Sequence, residues 1–350
     1  MVKRLQWIDI IKYIACIGVY NAHYWGYFAY SQMGINSFGE SGRTILDLLM
    51  NVLFNGEIGV CIFCVLSGYL ASEKQIDTWR YLGKNIFNRY IKFLIPLAFM
   101  TVVIVMLGAF VGFHIEKYNE VLGTQAIGLP PVINIANILK TIFLFDEVLN
   151  VPLWMFKSLF IGSCMVMCIN FIFKKIDLSV NGTFFIEVSI FVLLYLAKRF
   201  VHGNFYILAC CMSGMMIAPI WKSLRRFSDK LKRCLLFAWI LIQTFTGAIH
   251  VFVFSYVMLC IVGGMNYNDK DSKWARTLDE ASLYVYLYHD LIIGSITLWL
   301  YSILIGKLTY VQTVLSLYFI TSIVLGCFVG IYMCVIRKYE QRIICFLKIG

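Results

Sequence analysis

Long apolar runs, separated by short polar or charged segments, alternate along most of the 350 residues. A transmembrane helix needs about twenty mainly apolar residues, and shorter spans occur where the bilayer is thin. On that criterion the pattern predicts ten membrane-spanning helices in one bundle. Their predicted ranges are 8–29, 45–71, 90–113, 152–173, 183–197, 204–221, 234–248, 249–266, 282–304 and 313–336. A tight turn over 247–250 is predicted to separate the seventh helix from the eighth.

The composition excludes an ordinary soluble protein. Hydrophobic residues make up 61% of the chain, charged residues make up 14%, and the mean hydropathy is +0.79. No polar stretch is long enough to bury a core of its own, so residues 1–350 are predicted to form a single membrane domain. The first apolar run is too long, and too interrupted by charge, to be a cleavable signal peptide. The predicted fold class is therefore an all-α, polytopic integral membrane protein.

The distribution of basic residues predicts the orientation, because cytoplasmic loops carry the excess of Lys and Arg. With the N-terminus inside, the inner segments hold 22 of the 30 basic residues and the outer loops hold six. Lys12 and Lys157 fall within predicted spans. Both termini are therefore predicted to be cytoplasmic, and the net charge of +11 is explained by inner loops without any nucleic-acid partner.

The first predicted span carries three polar side chains, Asp9, Lys12 and His23, on one face. Lys12 and His23 are eleven residues apart, which in an α-helix is about three turns, or roughly 16 Å along the axis. A charged side chain at the centre of a membrane helix costs roughly 2.5–3.5 kcal/mol, so such residues usually face a bundle interior or a wet cavity. The polar face predicts a functional site. The structural alternatives are an Asp9 and Lys12 pair near the helix start and a hydrogen-bonded packing histidine.

Three other patterns have structural explanations. Most of the twelve cysteines lie in apolar runs and act as small hydrophobic side chains, so the CxxC spacing of Cys61 and Cys64 predicts no metal site. Gly326 and Gly330 have the small-xxx-small spacing that allows close helix packing in membranes. An amphipathic run over 133–145 is expected to lie on the membrane surface.

The first span also resembles that of a known family. The pattern R-x(4)-D-x(2)-R-x-I-A, followed by a histidine, is typical of the acyltransferase-3 family of integral-membrane acyltransferases. Lys12 departs from the usual arginine, which favours a point-charge contact with phosphate over a bidentate one. The residues in comparable places are Arg4, Asp9, Lys12, Ile14, Ala15 and His23.

Three later stretches are similar to the family's patterns G-V-x-x-F-F-x-L-S-G-F-L, L-W-F-L and S-x-x-I-Y-x-x-H, in that order. They are GVCIFCVLSGYL at 59–70, PLWMFKSLFI at 152–161 and SLYVYLYHDLI at 282–292. The last match places Tyr286 and His289, and Cys61 stands where many members have aspartate. A basic segment with Arg89 precedes the third span, much as in relatives. The resemblance covers essentially the whole chain.

The resemblance implies transfer of an acyl group, most simply acetyl, from acyl-CoA to a hydroxyl of an envelope polysaccharide or its lipid-linked precursor. Acyl transfer to a hydroxyl needs a base and groups that stabilise the developing oxyanion. Histidine has a suitable pKa for the base. We therefore predict His23 as the general base, with Glu57, which lies at a similar depth, as the group that orients the imidazole.

The donor and the acceptor are predicted to bind at opposite ends of the bundle. The phosphates of acyl-CoA suit the basic inner surface. Trp154 and Lys157 are predicted to bind the acceptor, because an aromatic face and a cation suit a sugar. The structural alternatives are plain positive-inside topology for the loop cations, a structural donor at His289 and an interfacial anchor at Trp154. The predicted donor-binding residues are Arg4, Asp9, Lys12, Arg89, Tyr286 and His289.

The expected partners are acyl-CoA as co-substrate, a glycan or lipid-linked sugar and membrane lipid, with no tightly bound cofactor and no metal. The expected location is the bacterial plasma membrane, as a multi-pass protein. The competing hypothesis is a transporter or exporter of a polysaccharide or small solute. Discontinuous helices and paired inverted repeats would favour that hypothesis, and the sequence shows neither clearly.

Overall fold

The computed structural model describes residues 5–29, 31, 34, 37–114, 132–176, 180–200, 204–266 and 272–347. These residues are predominantly helical. A π-helical turn, Ile293–Thr297, joins the helix Lys273–Ile292 to the helix Leu298–Leu304 without a break. The helices are α1 (Gln6–Ala29), α2 (Gly39–Met50), α3 (Gly56–Ser72), α4 (Trp79–Phe110), α5 (Ile135–Leu144), α6 (Leu153–Ile176), α7 (Val180–Phe200), α8 (Phe205–Leu224), α9 (Asp229–Thr246), α10 (Val251–Gly263), α11 (Lys273–Ile292), α12 (Leu298–Leu304) and α13 (Tyr310–Leu347).

Each of the ten predicted ranges contains a helix, and the predicted turn between the seventh and eighth ranges is confirmed. α9 ends at Thr246, and Gly247 follows with a left-handed φ of +59°. Glycine adopts this conformation at no steric cost, which is why it commonly ends a helix. The Nδ1 atom of His250 then accepts a hydrogen bond from the backbone N–H of Phe252 at 3.2 Å and caps α10.

The second predicted span is wrong as a single helix, because 45–71 is divided between α2 and α3. The break falls over residues 51–55. The side chain of Asn55 accepts a hydrogen bond from the backbone N–H of Ile58 at 3.1 Å and caps α3. Asparagine at this position satisfies one of the backbone donors that a helix start leaves unpaired. The hydropathy pattern did not reveal this break, because the runs on both sides of it are mainly apolar.

Among the described residues, five helical segments are long and apolar enough to cross a membrane: α4, α6, α8, the continuous segment Lys273–Leu304 and α13. α3 and α10 are shorter apolar helices of 17 and 13 residues. Together these segments indicate an integral membrane protein. The number of ten spans and the cytoplasmic position of both termini stay predictions.

The core is organised around α1, which packs against α3 and α11. α3 in turn crosses α8 at two glycines. A Cβ on Gly68 would lie 1.8 Å from the carbonyl oxygen of Cys211, and a Cβ on Gly214 would lie 2.2 Å from that of Val65. Glycine is therefore required at this crossing, where the two backbones touch.

Two further predictions concern peripheral segments. The run over 133–145 contains a helix, α5, which the side chain of Asn134 caps at its start, and its location on the membrane surface stays a prediction. The close packing predicted for Gly326 and Gly330 is wrong. A Cβ at either glycine would meet no described atom within 4 Å, so that face of α13 contacts no other described helix there.

Candidate active site

A cavity of about 700 Å³ opens beside His23, and we call it the His23 cavity. Its walls come from α1, α3, α6, α7, α8 and α11, together with the break between α2 and α3. The cap that interrupts the second predicted span therefore helps to form the site. Among the lining residues are Phe54, Glu57, Trp154, Lys198, Tyr206 and Tyr286.

A chain of two hydrogen bonds fixes the imidazole of His23. Its Nδ1 atom lies 3.1 Å from the hydroxyl oxygen of Tyr27, and that hydroxyl donates to Oδ1 of Asp290 at 2.9 Å. Because the single hydroxyl hydrogen is used on the carboxylate, the tyrosine oxygen accepts from Nδ1–H. His23 thus carries its proton on Nδ1 and presents Nε2 as an acceptor.

His289 packs directly behind His23. The two ring centroids are 4.9 Å apart and the rings are inclined at 63°. Nδ1 of His289 lies 2.7 Å from the carbonyl oxygen of Tyr286, which can only accept, so Nδ1 carries the proton. The His289 side chain is fully buried, and its Nε2 has no partner among the residues that the structure describes. His289 lies behind His23 and does not line the cavity. The structure therefore does not support the predicted contact between His289 and the donor.

The structure separates the other residues predicted for this end of the site. Glu57 and Trp154 line the His23 cavity, whereas Lys157 is exposed on α6 and does not. The described contacts of His23 Nδ1 go to Tyr27 and Asp290. The predicted role of Glu57 in orienting the imidazole is therefore not what the structure shows.

A second cavity of about 280 Å³, which we call the Lys12 cavity, lies on the other side of Tyr286. Its apolar wall includes Phe63, Phe93 and Phe156. Its polar lining residues are Lys12, Ser67, Arg89, Asp279, Glu280 and Arg337. Lys12 and His23 therefore open into different cavities from one face of α1, in agreement with their spacing of about three turns.

Two of the three cations in the Lys12 cavity contact carboxylates. Lys12 Nζ donates to Oδ1 of Asp279 at 3.0 Å, so the proposed pairing of Lys12 with Asp9 is not needed to explain this lysine. Nε of Arg337 lies 3.4 Å from Oε2 of Glu280. The Nη1 atom of Arg337 also contacts the fully buried Glu340 at 3.4 Å.

Arg89 is bonded differently. Its Nη2 donates to the hydroxyl of Ser67 at 2.7 Å, and its guanidinium lies 5.3 Å from the ring centroid of Phe93. Its buried Nε has no partner, and no carboxylate contacts the guanidinium within the described ranges. A buried cation without a counter-ion is a strong site for an anionic ligand.

Lys74, in the loop between α3 and α4, adds to the positive potential near Arg89. Burial, together with repulsion from Arg89 and Lys92, lowers the pKa of Lys74 to about 8. Its Nζ donates to Oδ1 of Asn85 at 3.2 Å. A group in such a cationic environment would be stabilised in its charged form by a bound anion.

Tyr286 forms part of the wall between the two cavities, since it lines both of them. Its hydroxyl donates to the carbonyl oxygen of Pro152 at 2.6 Å. Its ring is stacked on Phe156, with centroids 5.6 Å apart and an angle of 26° between the planes. Phe63 meets the same ring edge-on at 6.2 Å. This shared wall is thus a small aromatic cluster in which the ring of Tyr286 is anchored by one hydrogen bond.

Asp9 and His289, both predicted to bind the donor, line neither described cavity. Asp9 is buried, with 4% of its surface exposed, and it is absent from both linings. Arg4 lies outside the described residues. Of the three polar residues on the polar face of α1, Lys12 and His23 line the described cavities.

Sequence reasoning missed Tyr27, Asp290, Lys198 and Arg337 as site residues. Tyr27 and Asp290 could have been identified from the sequence, because Tyr27 is one helical turn after His23 and Asp290 directly follows the matched histidine. No sequence pattern distinguishes Lys198 or Arg337. Each resembles the other cations at the ends of predicted spans, and only the packing of α7 and α13 directs them into a cavity.

The fold and the site together define a helical membrane protein with two polar cavities that share a wall inside the bundle. The family model of the acyltransferase-3 family, described as an acyltransferase domain, matches residues 5–336, and the chain belongs to that family. It is therefore a membrane acyltransferase. No curated protein matches the chain, and no solved structure matches it.

Proposed function

We propose that this protein transfers an acyl group, most simply acetyl, from acyl-CoA to a hydroxyl of an envelope polysaccharide or its lipid-linked precursor. His23 acts as the general base. The observation that carries the proposal is the arrangement of the two cavities. His23 lines one, the unpaired cation Arg89 lines the other, and Tyr286 belongs to both.

The Lys12 cavity suits the phosphate-bearing part of the donor. Arg89 offers a buried guanidinium with an unused Nε–H, and Lys12 and Arg337, each paired with a carboxylate, line the same cavity. Guanidinium groups bind phosphate through short, charge-assisted hydrogen bonds. The apolar wall of Phe63, Phe93 and Phe156 suits the uncharged arm that carries the thioester.

The His23 cavity suits a sugar acceptor. The rings of Phe54, Trp154 and Tyr206 offer apolar faces, and a few polar groups converge on the same space, as in many ligand sites. Lys198 Nζ lies 4.2 Å from the ring centroid of Tyr206, so a cation is available for an acidic substituent.

The reaction requires two proton transfers, one from the acceptor hydroxyl to His23 and one from His23 to the leaving thiolate. Nε2 of His23 removes the proton of the acceptor hydroxyl while its oxygen attacks the thioester carbonyl carbon. The carbon–sulfur bond then breaks, and the thiolate of CoA takes the proton from His23. The imidazole returns to its starting state, and an ester and free CoA leave the site.

The direction of transfer follows from the predicted orientation. With the Lys12 cavity facing the cytoplasm, where acyl-CoA is made, the His23 cavity faces the outer side of a bacterial plasma membrane. The acceptor is then an envelope glycan or its lipid-linked precursor.

The first test is acyl transfer by the purified protein with radiolabelled acetyl-CoA and a mixture of envelope glycans. His23→Ala is expected to lower the transfer rate about 10²–10⁴-fold, the usual contribution of a general base. His114→Ala is the matched control. His114 contacts the carbonyl oxygen of Val111 and lines neither cavity, so this variant should keep the rate of the wild type.

Unchanged transfer by His23→Ala, in protein that is folded and monodisperse, would remove His23 from the mechanism. The transporter hypothesis predicts a different result. Vesicles containing the protein would then show steady flux of a solute, with no consumption of acyl-CoA in the presence of any acceptor.

A further inference from the structure

We propose that Tyr27 and Asp290 are positioning residues for His23, and that Tyr27 acts as a hydroxyl bridge between the imidazole and the carboxylate. The proposal rests on the proposed function, in which His23 is the base. It assigns a role to two residues that line neither cavity themselves, and so they would act through His23.

The hydrogen bonds around Tyr27 have a defined direction. The hydroxyl of Tyr27 donates to Asp290 at 2.9 Å and lies 3.1 Å from Nδ1 of His23. An ionised carboxylate only accepts, so the sequence of donors runs from Nδ1–H to the hydroxyl and from the hydroxyl to Asp290. This order keeps the lone pair on Nε2, which is the atom that a base must present.

Asp290 also acts on His23 electrostatically. When His23 takes a proton, the imidazole becomes a cation in a site where charge is costly. Oδ1 of Asp290 is 3.6 Å from Nδ1, so the carboxylate stabilises that cation directly as well as through Tyr27. No proton needs to leave Nδ1 during the reaction. Glu57 lines the His23 cavity, where its carboxylate can contact substrate.

The placement of Asp290 in its helix supports the same role. Asp290 lies at the end of α11, and the π-helical turn Ile293–Thr297 begins three residues later. Such turns change the register of a helix and are frequent at functional sites. The carboxylate is largely shielded, with 14% of its side chain exposed. Its position is therefore set by the backbone of a packed helix.

The test compares kcat and KM for acyl transfer in three variants. Asp290→Asn keeps the shape but loses the charge, and we expect kcat to fall about a hundredfold or more with the donor KM unchanged. Asp290→Glu restores the charge and should recover a substantial part of kcat. Tyr27→Phe should cost less, about tenfold, because Nδ1 and Asp290 are only slightly beyond hydrogen-bond distance and can approach each other.

Asp77→Asn is the control for removal of a carboxylate, since Asp77 is exposed in the loop before α4. The inference is overturned if folded Asp290→Asn keeps kcat within twofold of the wild type. If the Asp290→Asn protein does not accumulate in folded form, the Tyr27→Phe and Asp290→Glu variants test the inference. A Tyr27→Phe protein with unchanged kcat, or an Asp290→Glu protein whose loss lies in KM, would contradict the bridge.

These outcomes are distinct from failure of the proposed function. If the wild type shows no transfer that depends on His23, the function and the role of the bridge both fail. If the wild type transfers the acyl group and His23→Ala does not, while Asp290→Asn behaves as the wild type, only the bridge fails.

Discussion

At the scale of single residues, the three cations of the Lys12 cavity differ in how their charge is compensated. Lys12 and Arg337 contact carboxylates, whereas Arg89 contacts the hydroxyl of Ser67. An anion that binds Lys12 or Arg337 must compete with a carboxylate already in place. Arg89 needs no such exchange, so it should provide the largest part of the affinity for an anionic donor.

Arg89→Gln is expected to raise the KM for acyl-CoA about tenfold, equivalent to about 1.4 kcal/mol, with little change in kcat. Arg89→Lys should be intermediate, because lysine keeps the charge but loses the planar array of donors. The measurement is the rate of CoA release as the donor concentration is varied.

Arg80→Gln is the matched control for Arg89, since Arg80 belongs to the same basic segment but is exposed. Equal donor KM values for Arg80→Gln and Arg89→Gln would show that the segment acts only through its general charge and that Arg89 has no special role.

At the scale of helices, the site depends on the crossing of α3 and α8. α3 carries Glu57 and Ser67, one in each cavity, and α8 carries Tyr206. The two helices can approach only because Gly68 and Gly214 have no side chains. The packing of these two helices is thus set by a backbone contact next to Ser67, which lines the Lys12 cavity.

Gly68→Ala is expected to destabilise the protein by about 1–3 kcal/mol, because the added methyl would meet the carbonyl oxygen of Cys211. Gly326→Ala is the control, since its methyl would meet no described atom within 4 Å. Thermal unfolding in detergent should show a lower midpoint for Gly68→Ala alone. Equal midpoints would mean that the crossing tolerates a wider separation.

At the scale of the whole molecule, the two cavities share Tyr286 as a lining residue. Under the proposed function, the thioester in one cavity must pass or displace this ring to reach the acceptor in the other. The closed ring would also keep water on the acceptor side away from the donor, and exclusion of water limits hydrolysis of reactive intermediates.

Tyr286→Ala is therefore expected to increase acceptor-independent hydrolysis of acyl-CoA several-fold and to lower the ratio of transfer to hydrolysis. Tyr286→Phe keeps the ring and loses only the bond to Pro152, so it should keep that ratio near the wild-type value. Both products can be measured in one assay with labelled acetyl-CoA. A constant ratio in Tyr286→Ala would show that this ring is not the barrier.

Much of the architecture could be predicted because membrane insertion acts on local composition. A run of about twenty apolar residues partitions into the bilayer regardless of what lies elsewhere in the chain. Each predicted range accordingly contains a helix, and Gly247 marks the turn between α9 and α10. The break before α3 escaped prediction because its polar residues, Asn51, Asn55 and Glu57, are few and lie between long apolar runs.

Family membership and a candidate base could also be predicted from the sequence, because both predictions depend on residue identities at fixed spacing along single helices. His23 and Lys12 are related by the period of α1, which no neighbouring helix can alter. The partners of these residues are not related in this way. Tyr27 and Asp290, or Lys12 and Asp279, meet only when α1 packs against α11, across 263 and 267 residues of chain.

The sequence by itself therefore determined most of the helices, the class of protein and which face of α1 is polar, since hydropathy and helical period are local properties. The tertiary structure alone decided that this face opens into two cavities, that Tyr286 separates them, and that His23 contacts Asp290 through Tyr27. Those features depend on distances between helices, and helix packing fixes such distances through shapes that no single segment encodes.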